Sequence, residues 1–228
     1  MSAEAEIRRT RPATRTLGAC IRVFLQHGSP ALIAGLMVLT VAIRLWLGGF
    51  STRELVAFPM VAVWWPLQEW GAHRWILHIH PRQVGRYKLD PYFARRHRQH
   101  HAHPSLFRDV FLPARVVLGA WLAFAPLLVW LFGPGPGMTG LLAVSTGALL
   151  YEWTRFSAHA DRVPWTNWGR LIVRNHRLHH FHNEQRWFAF TVPQLDGWLR
   201  TGGEPATVPR SATVRTLGVD DESTSPTD

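Results

Sequence analysis

The residues best suited to chemistry in this chain are histidines, and they are concentrated in one stretch. Twelve of the 13 histidines lie between His73 and His182, and only His27 lies outside it. Residues 97–103 and residues 176–182 nearly repeat, and each segment has the pattern His-Arg-x-His-His-x-His. This spacing places three imidazoles at positions i, i+3 and i+4, which are neighbours on a helix surface. Neighbouring imidazoles suit zinc, iron, copper or nickel, so the repeat predicts a metal site.

Three more histidines extend the predicted ligand set. His73 and His78 end the second of four apolar runs, and His159 is expected to lie beyond the end of the helix that the fourth run forms. On an ideal helix an i, i+5 pair lies about 140° apart, so His73 and His78 either bind different ions or are separated by a break in the helix. The predicted ligands are His73, His78, His97, His100, His101, His159, His176, His179 and His180. These are too many imidazoles for one ion, so we expect two metal ions.

The composition restricts the kind of metal site. Cys20 is the only cysteine, which excludes a thiolate-bound metal and an intrachain disulfide framework. Glu69 and Glu152 lie near the ends of apolar runs, where an unpaired carboxylate is costly. Each carboxylate is expected either to orient a ligating imidazole through its second nitrogen or to form an ion pair with a neighbouring arginine.

Two capped helices are predicted to carry the repeated patterns. Asp90 and Pro91 suit the N-cap and the first position of a helix that contains the first pattern. Thr166 or Asn167 can cap a second helix, in which the histidines continue the apolar face that includes Ile172. An apolar face packs inward, so the histidines are expected to point into the protein.

Four apolar runs predict membrane helices. They cover residues 31–50, 55–77, 116–132 and 138–151, and a helix that spans a bilayer needs about 20 residues. The second and fourth runs have shorter apolar cores, so their helices either extend into the cytosol or enter the membrane without crossing it. The connections at residues 48–54 and 133–137 carry little charge, whereas arginine-rich segments flank the opposite ends. Positive charge favours the cytosolic side, which predicts cytosolic termini and cytosolic histidines.

These elements predict an all-α fold: a multi-pass membrane bundle of about four transmembrane helices, with a cytosolic helical cap that holds a histidine-rich di-metal site. Residues 1–28 are predicted to be a mobile basic arm, residues 29–201 the membrane domain and residues 202–228 a disordered tail. A short surface helix at residues 17–25 is the alternative for part of the arm. The net charge is +10, but the basic residues flank apolar runs, which argues against nucleic-acid binding.

The order of these residues resembles the fatty acid hydroxylase and sterol desaturase superfamily of membrane proteins, and is closest to its hydroxylase branch. The resemblance rests on Glu69-x-x-x-His73-x-x-x-x-His78, His97-x-x-His100-His101, His159 and His176-x-x-His179-His180. The closing segments at residues 183–188 and 195–198 are also similar to the hydroxylase branch. The similarity covers about residues 66–201.

The resemblance implies a function as well as a fold. Members bind two metal ions, taken as iron in the active enzyme, and use O₂ to oxidise an unreactive C–H bond of a lipid. A fatty acyl or other lipid substrate is expected to reach the metals from the membrane, and a separate protein is expected to donate electrons. A desaturase or a sterol or carotenoid oxidase of the same superfamily is the alternative.

One position departs from the family's pattern. The family usually has a histidine four residues before the one that matches His159, and Arg155 stands there. A guanidinium stays protonated and offers no lone pair to a metal. Either one ion keeps an open or water-filled position, or His182 or Asp161 replaces the ligand, or the centre is altered. An altered centre favours a different class, a non-catalytic membrane protein that binds or transports metal. A zinc hydrolase is disfavoured because the chain has no His-Glu-x-x-His motif.

Overall fold

The computed structural model describes residues 12–219, and they are mostly helical. In chain order the helices are α1 (Leu17–Leu25), α2 (Gly28–Trp46), α3 (Glu54–Gly71), a π-helix (Ala72–Leu77), α4 (Tyr92–Ala102), α5 (Phe107–Val110), α6 (Ala114–Phe132), α7 (Pro134–His159), α8 (Asn167–Phe181) and α9 (Leu195–Trp198). Two short strands, β1 (Arg82–Val84) and β2 (Tyr87–Leu89), pair antiparallel in a hairpin. The predicted helical class is confirmed, and the hairpin was not predicted.

Helix α7 lies at the centre of the fold and packs against α2, α3 and α6. Val61, Leu128, Leu141 and Val144 form a buried core between these helices. The stretches Gly28–Trp46 and Phe107–Phe132 are long and apolar enough to cross a membrane. They fit the expected membrane protein, whereas four transmembrane helices and a cytosolic orientation stay predictions.

The turn between α6 and α7 is tighter than predicted. Of the connection expected over residues 133–137, only Gly133 lies outside the two helices. Its φ of 87° is in the left-handed region that glycine tolerates, and Pro134 then begins α7 with a suitable φ. A Cβ on Gly137 would lie 2.7 Å from the Leu128 carbonyl oxygen, so this close approach requires glycine. Residues 135–140 have the spacing Gly-x-Gly-x-x-Gly, but they lie within α7 and follow no strand, as a dinucleotide site would require.

The length of α7 explains how it reaches the histidine region. It has 26 residues, or about 39 Å at 1.5 Å per residue, whereas the hydrocarbon core of a bilayer is about 30 Å thick. The C-terminal end of α7 carries Arg155 and His159. His159 is therefore the last residue of the helix, and the expectation that it lies beyond the helix is wrong.

The two histidine-rich helices form as predicted, with one difference at the start of α4. Helix α8 is capped by Thr166, whose Oγ1 accepts a hydrogen bond from the Gly169 amide at 3.0 Å. Helix α4 has Pro91 as its N-cap residue, so the prediction that Asp90 caps it is wrong. Asp90 instead forms an ion pair with Arg98. The buried cation attracts the carboxylate more strongly than the helix amides do.

The two ends of the chain contribute to the fold over the part that the structure describes. Helix α1 buries Val23 and Phe24 against Phe156. Residues 202–219 lie against the histidine-bearing helices, and Leu217 is buried, which differs from the disordered tail expected there. Residues 1–11 of the predicted arm and residues 220–228 of the predicted tail lie outside the described residues. The domain boundaries at residues 28 and 201 stay predictions.

Candidate metal centre

The π-helix brings His73 and His78 together. Its hydrogen bonds run from residue i to residue i+5, so each turn is wider than in an α-helix. The His73 and His78 rings consequently have centroids 5.1 Å apart, although the two residues would diverge on an ideal α-helix. The π-helix also ends at Leu77, so the expected end of the helix before His78 is confirmed. The expectation that the pair binds different ions is not supported, because both rings lie in one group.

The nine predicted histidines lie in two groups whose nitrogen atoms converge. In each group the candidate ligand atoms lie within 4.8 Å of one another. The five-histidine group contains His73, His78, His97, His101 and His179. The four-histidine group contains His100, His159, His176 and His180. The structure thus brings together every histidine that the sequence singled out as a ligand.

Each of the two repeated patterns contributes to both groups. The i, i+4 pair of α4, His97 and His101, belongs to the five-histidine group, and His100 belongs to the other. In α8 the arrangement is reversed: His176 and His180 belong to the four-histidine group and His179 to the five-histidine group. Residues at i and i+4 share a face of the helix, whereas the residue at i+3 is offset from that face. Because α4 and α8 assign these positions to opposite groups, the two repeats together form two adjacent groups.

The arginine of each repeat ties its helix to a flanking histidine segment. Arg98 of α4 donates a hydrogen bond to the carbonyl of Ile79 at 3.0 Å, next to His78. Arg177 of α8 donates to the carbonyl of Ala158 at 3.1 Å, next to His159. Each arginine therefore holds the backbone beside one flanking candidate ligand.

The outer nitrogens of three imidazoles in the five-histidine group are anchored. The Nδ1–H groups of His73 and His179 donate to the carbonyls of Phe188 and Arg186, each at 2.7 Å. The Nδ1–H group of His101 donates to the carbonyl of Val214 at 2.9 Å. In a neutral imidazole this bond leaves the Nε2 lone pair available. Within the part of the chain that the structure describes, the three Nε2 atoms are buried without a hydrogen-bond partner, as nitrogens that face a cation are.

The four-histidine group has the same character. His159 Nε2 and His176 Nε2 approach to 2.8 Å. Both ring nitrogens of His100 and of His180 are buried, and neither ring finds a hydrogen-bond partner among the described residues. Buried, unpaired polar atoms are costly and rare. Nitrogen-only ligands, with converging lone pairs, fit a borderline transition-metal ion in each group.

The imidazoles of α4 and α8 are held in the neutral form that binds metals. Burial lowers the pKa of His97, His100, His101, His176 and His180 well below its ordinary value. Burial also lowers the pKa of His179 to about 4. Near neutral pH these rings are therefore uncharged, and one nitrogen of each ring keeps a lone pair that can bind a cation.

Arg155 is buried beside the four-histidine group. It lies one turn before His159 on α7, and its Nε is buried without a hydrogen-bond partner among residues 12–219. Burial is the largest cause of the lowered pKa of His100, and the positive charge of Arg155 is the second largest.

Neither suggested replacement ligand belongs to a group. His182 Nε2 forms a hydrogen bond with the Val208 carbonyl oxygen at 2.7 Å.

Asp161, the other suggested replacement, accepts a hydrogen bond from Thr14 Oγ1 at 3.0 Å. Of the alternatives for the missing ligand, the structure therefore favours an open position in the group of four imidazoles, with the positively charged Arg155 side chain nearby.

The two glutamates have roles that the sequence did not predict. Glu69 accepts hydrogen bonds from the backbone amides of Phe190 and Thr191, each at 2.8 Å, and from Thr191 Oγ1. Glu152 accepts from Ser29 Oγ and from the Leu112 amide. The expectation that these carboxylates orient an imidazole directly or pair with an arginine is wrong. Both carboxylates instead accept hydrogen bonds from residues of the segments that surround the histidines.

The loop that follows α8 is a part of the site that sequence reasoning missed. Its Phe190 ring stacks on His73 with centroids 4.8 Å apart, and its Phe188 carbonyl fixes His73 as described above. Asp196 holds this loop by accepting hydrogen bonds from the amides of Phe188 and Ala189, at 2.9 and 3.1 Å. The similarity of residues 183–188 and 195–198 to hydroxylases was the sequence feature that could have identified this loop. It did not indicate which residues the loop contacts.

An apolar cavity of about 350 Å³ adjoins the five-histidine group. Ile33, Trp65, Val117 and Ala148 contribute to its wall, and His73 borders it. A cavity of this size and character suits an apolar ligand. The cavity lies among α2, α3, α6 and α7, the helices expected to contact lipid.

The comparisons with known proteins agree with this geometry. A model of the fatty acid hydroxylase family matches residues 58–201. Among solved structures, one described as full-length scs7p, with only its hydroxylase domain visible, has a TM-score of 0.66 and 21% identity. The alignment covers 80% of this chain and 68% of that chain. At this identity the likeness shows the fold alone. No curated protein matches the chain in sequence.

Proposed function

The chain belongs to the fatty acid hydroxylase family, and from this premise we propose that it is a membrane-bound di-metal oxygenase that hydroxylates a lipid acyl chain. The balanced reaction converts R–H, O₂, two electrons and two protons into R–OH and water. A separate electron-donor protein supplies the electrons. Two ions, of iron by analogy with the family, would occupy the five-histidine and four-histidine groups.

The observation that carries the proposal is the position of the apolar cavity beside the buried histidines. His73 belongs both to the cavity wall and to the five-histidine group. An acyl chain in the cavity would lie next to that group. The apolar walls would exclude water from the space around the chain. When bound, the ions supply the redox chemistry that O₂ reduction and C–H oxidation require.

The protein's own residues position the reactants. The carbonyls of Phe188, Arg186 and Val214 hold three imidazoles in one tautomer, so their lone pairs are preorganised toward one point. Ile33, Trp65 and Ala148 line the cavity and would bind methylene groups. The net charge of +10 would favour approach of an acidic electron donor.

The test is lipid analysis of membranes from cells that express the protein under ¹⁸O₂. A lipid that gains one ¹⁸O atom, and that is lost in a His179→Ala variant, supports the proposal. His103→Ala is the matched control, because His103 ends the other copy of the repeated pattern and belongs to neither of the groups that the described residues form. A product that lacks two hydrogens and contains no ¹⁸O would instead indicate a desaturase.

Arg155 favours one other function, a non-catalytic metal-binding protein. A buried cation beside one group weakens the second ion site electrostatically. Metal analysis of anaerobically purified protein separates the two functions. Two irons per chain support the oxygenase, and stoichiometric zinc with no O₂-dependent product supports the alternative.

A further inference from the structure

Residues 204–218, which we call the C-terminal segment, contact the five-histidine group although they follow the region that matches the family. The Val214 carbonyl accepts the Nδ1–H hydrogen bond of His101 at 2.9 Å. Arg215 donates to the Ala102 carbonyl at 3.4 Å, and its guanidinium lies 5.1 Å from the centroid of the Phe181 ring. The segment thereby joins the C-terminal ends of α4 and α8.

A buried carboxylate anchors the segment. Glu184, which follows α8, accepts hydrogen bonds from Ser211 Oγ at 3.0 Å and from Thr213 Oγ1 at 2.7 Å. The Ser211 amide also donates to the His182 carbonyl at 2.9 Å. These three hydrogen bonds hold the backbone on both sides of residue 212 close to α8.

The end of the segment is packed in a specific conformation. Leu217 is 3% exposed, and its φ of 52° is unfavourable for a residue with a side chain. Such a conformation persists where the surroundings determine it. Leu217 and Thr213 also line a second cavity, of about 330 Å³, that His78 and Glu184 border. The segment is therefore a wall of the site.

We propose that the C-terminal segment is a positioning element of the five-histidine group. The Val214 carbonyl fixes the tautomer and ring orientation of His101, and Glu184, Ser211 and Thr213 hold that carbonyl in place. This inference rests on the proposed function, because it takes the five-histidine group to be a metal site. It adds residues outside the family-matched region to the metal-binding machinery.

The test is metal release from the full-length protein loaded with zinc and mixed with a chromogenic chelator. In a Ser211→Ala/Thr213→Val variant we expect one of two release phases to accelerate roughly 10-fold or more, as when a residue behind a metal ligand is lost. The other phase should stay within about twofold. Ser211→Thr/Thr213→Ser keeps both hydroxyls and should restore the wild-type rate. Thr146→Ala is the control, because Thr146 lies outside the segment and its exposed hydroxyl donates to the Leu142 carbonyl of its own helix, α7.

Three outcomes would count against the inference. Unchanged release from the double variant would show that the segment does not position a ligand. Equal acceleration of both phases, with a lower unfolding temperature, would show a merely structural role. Failure of the wild-type protein to bind zinc or iron would overturn the proposed function itself, and the inference with it.

Discussion

Arg177 Nε donates a hydrogen bond to the carbonyl of Ala158 at 3.1 Å, directly before His159. The equivalent arginine of the other repeat, Arg98, bonds the carbonyl of Ile79, directly after His78. In each His-Arg pair, the histidine is a candidate metal ligand. The arginine holds the backbone next to a second candidate ligand, which belongs to another element of the fold. This relationship gives the arginines of the repeats a role that charge alone does not predict.

Removal of either arginine should weaken the proposed site that it supports. We expect Arg98→Met to have the larger effect, since Arg98 is 1% exposed and also pairs with Asp90. Residues behind metal ligands contribute roughly 10–100-fold to metal affinity. Competition with a chelator measures the change. Arg174→Met is the control on α8, because its side chain is 51% exposed and its ion-pair partner Glu204 is 71% exposed. An effect of the control equal to that of Arg177→Met would contradict the assignment.

Substitution of one ligand in each group should remove a different ion. We expect His176→Ala to lower the metal content from two ions per chain to one by emptying the four-histidine group, and His179→Ala to do so by emptying the other. Elemental analysis gives the count. A variant that retains two ions, or the loss of both ions from His176→Ala alone at an unchanged unfolding temperature, would disagree with two separate groups.

Replacement of Arg155 should strengthen cation binding in the four-histidine group. A buried guanidinium repels a nearby metal ion, and at an effective dielectric constant of about 20 a unit charge several ångströms away contributes on the order of 1 kcal/mol or more. We therefore expect Arg155→Met to lower the Kd of the weaker ion about 5-fold or more. Isothermal titration with zinc measures this. Arg86→Met, in the exposed hairpin, is the control, and weaker binding in Arg155→Met would contradict the electrostatic argument.

Loss of the Glu69 carboxylate should destabilise the loop over the five-histidine group. Glu69→Ala leaves the Phe190 and Thr191 amides without their buried acceptor, and each unpaired group costs about 1–3 kcal/mol. A lower unfolding temperature in detergent, with weaker metal binding, is expected. Glu69→Gln keeps one acceptor oxygen and should lose less. Equal stability of Glu69→Ala and the wild type would show that these bonds are not stabilising.

A larger side chain in the apolar cavity should affect the lipid substrate without affecting the metal. Ala148 lines the cavity, so Ala148→Phe reduces its volume and should lower hydroxylation of long acyl chains more than of short ones. Leu150→Phe, on the more exposed side of α7, should change neither. Lipid profiles and metal content check the two properties together. An unchanged chain-length profile for Ala148→Phe would place the substrate elsewhere.

The sequence by itself determined the helical class, the two histidine-bearing helices and the identity of the nine candidate ligands. These features depend on local spacing, because the i, i+3, i+4 pattern and a capping residue act within one helix. The same local reasoning placed Asp90 at a cap, because it could not see the buried Arg98 that attracts its carboxylate.

Only the tertiary structure decided how the histidines divide into groups and what holds them. His100 and His101 point about 100° apart on their helix, but which group each joins depends on where the fold places α8 and the flanking histidines. The partners of the outer ring nitrogens are carbonyls of Phe188, Arg186 and Val214, and backbone carbonyls carry no residue-specific signal in a sequence. Residues 202–219 had the composition of a disordered tail, but hydrogen bonds to the buried Glu184 and His101 hold them against the site.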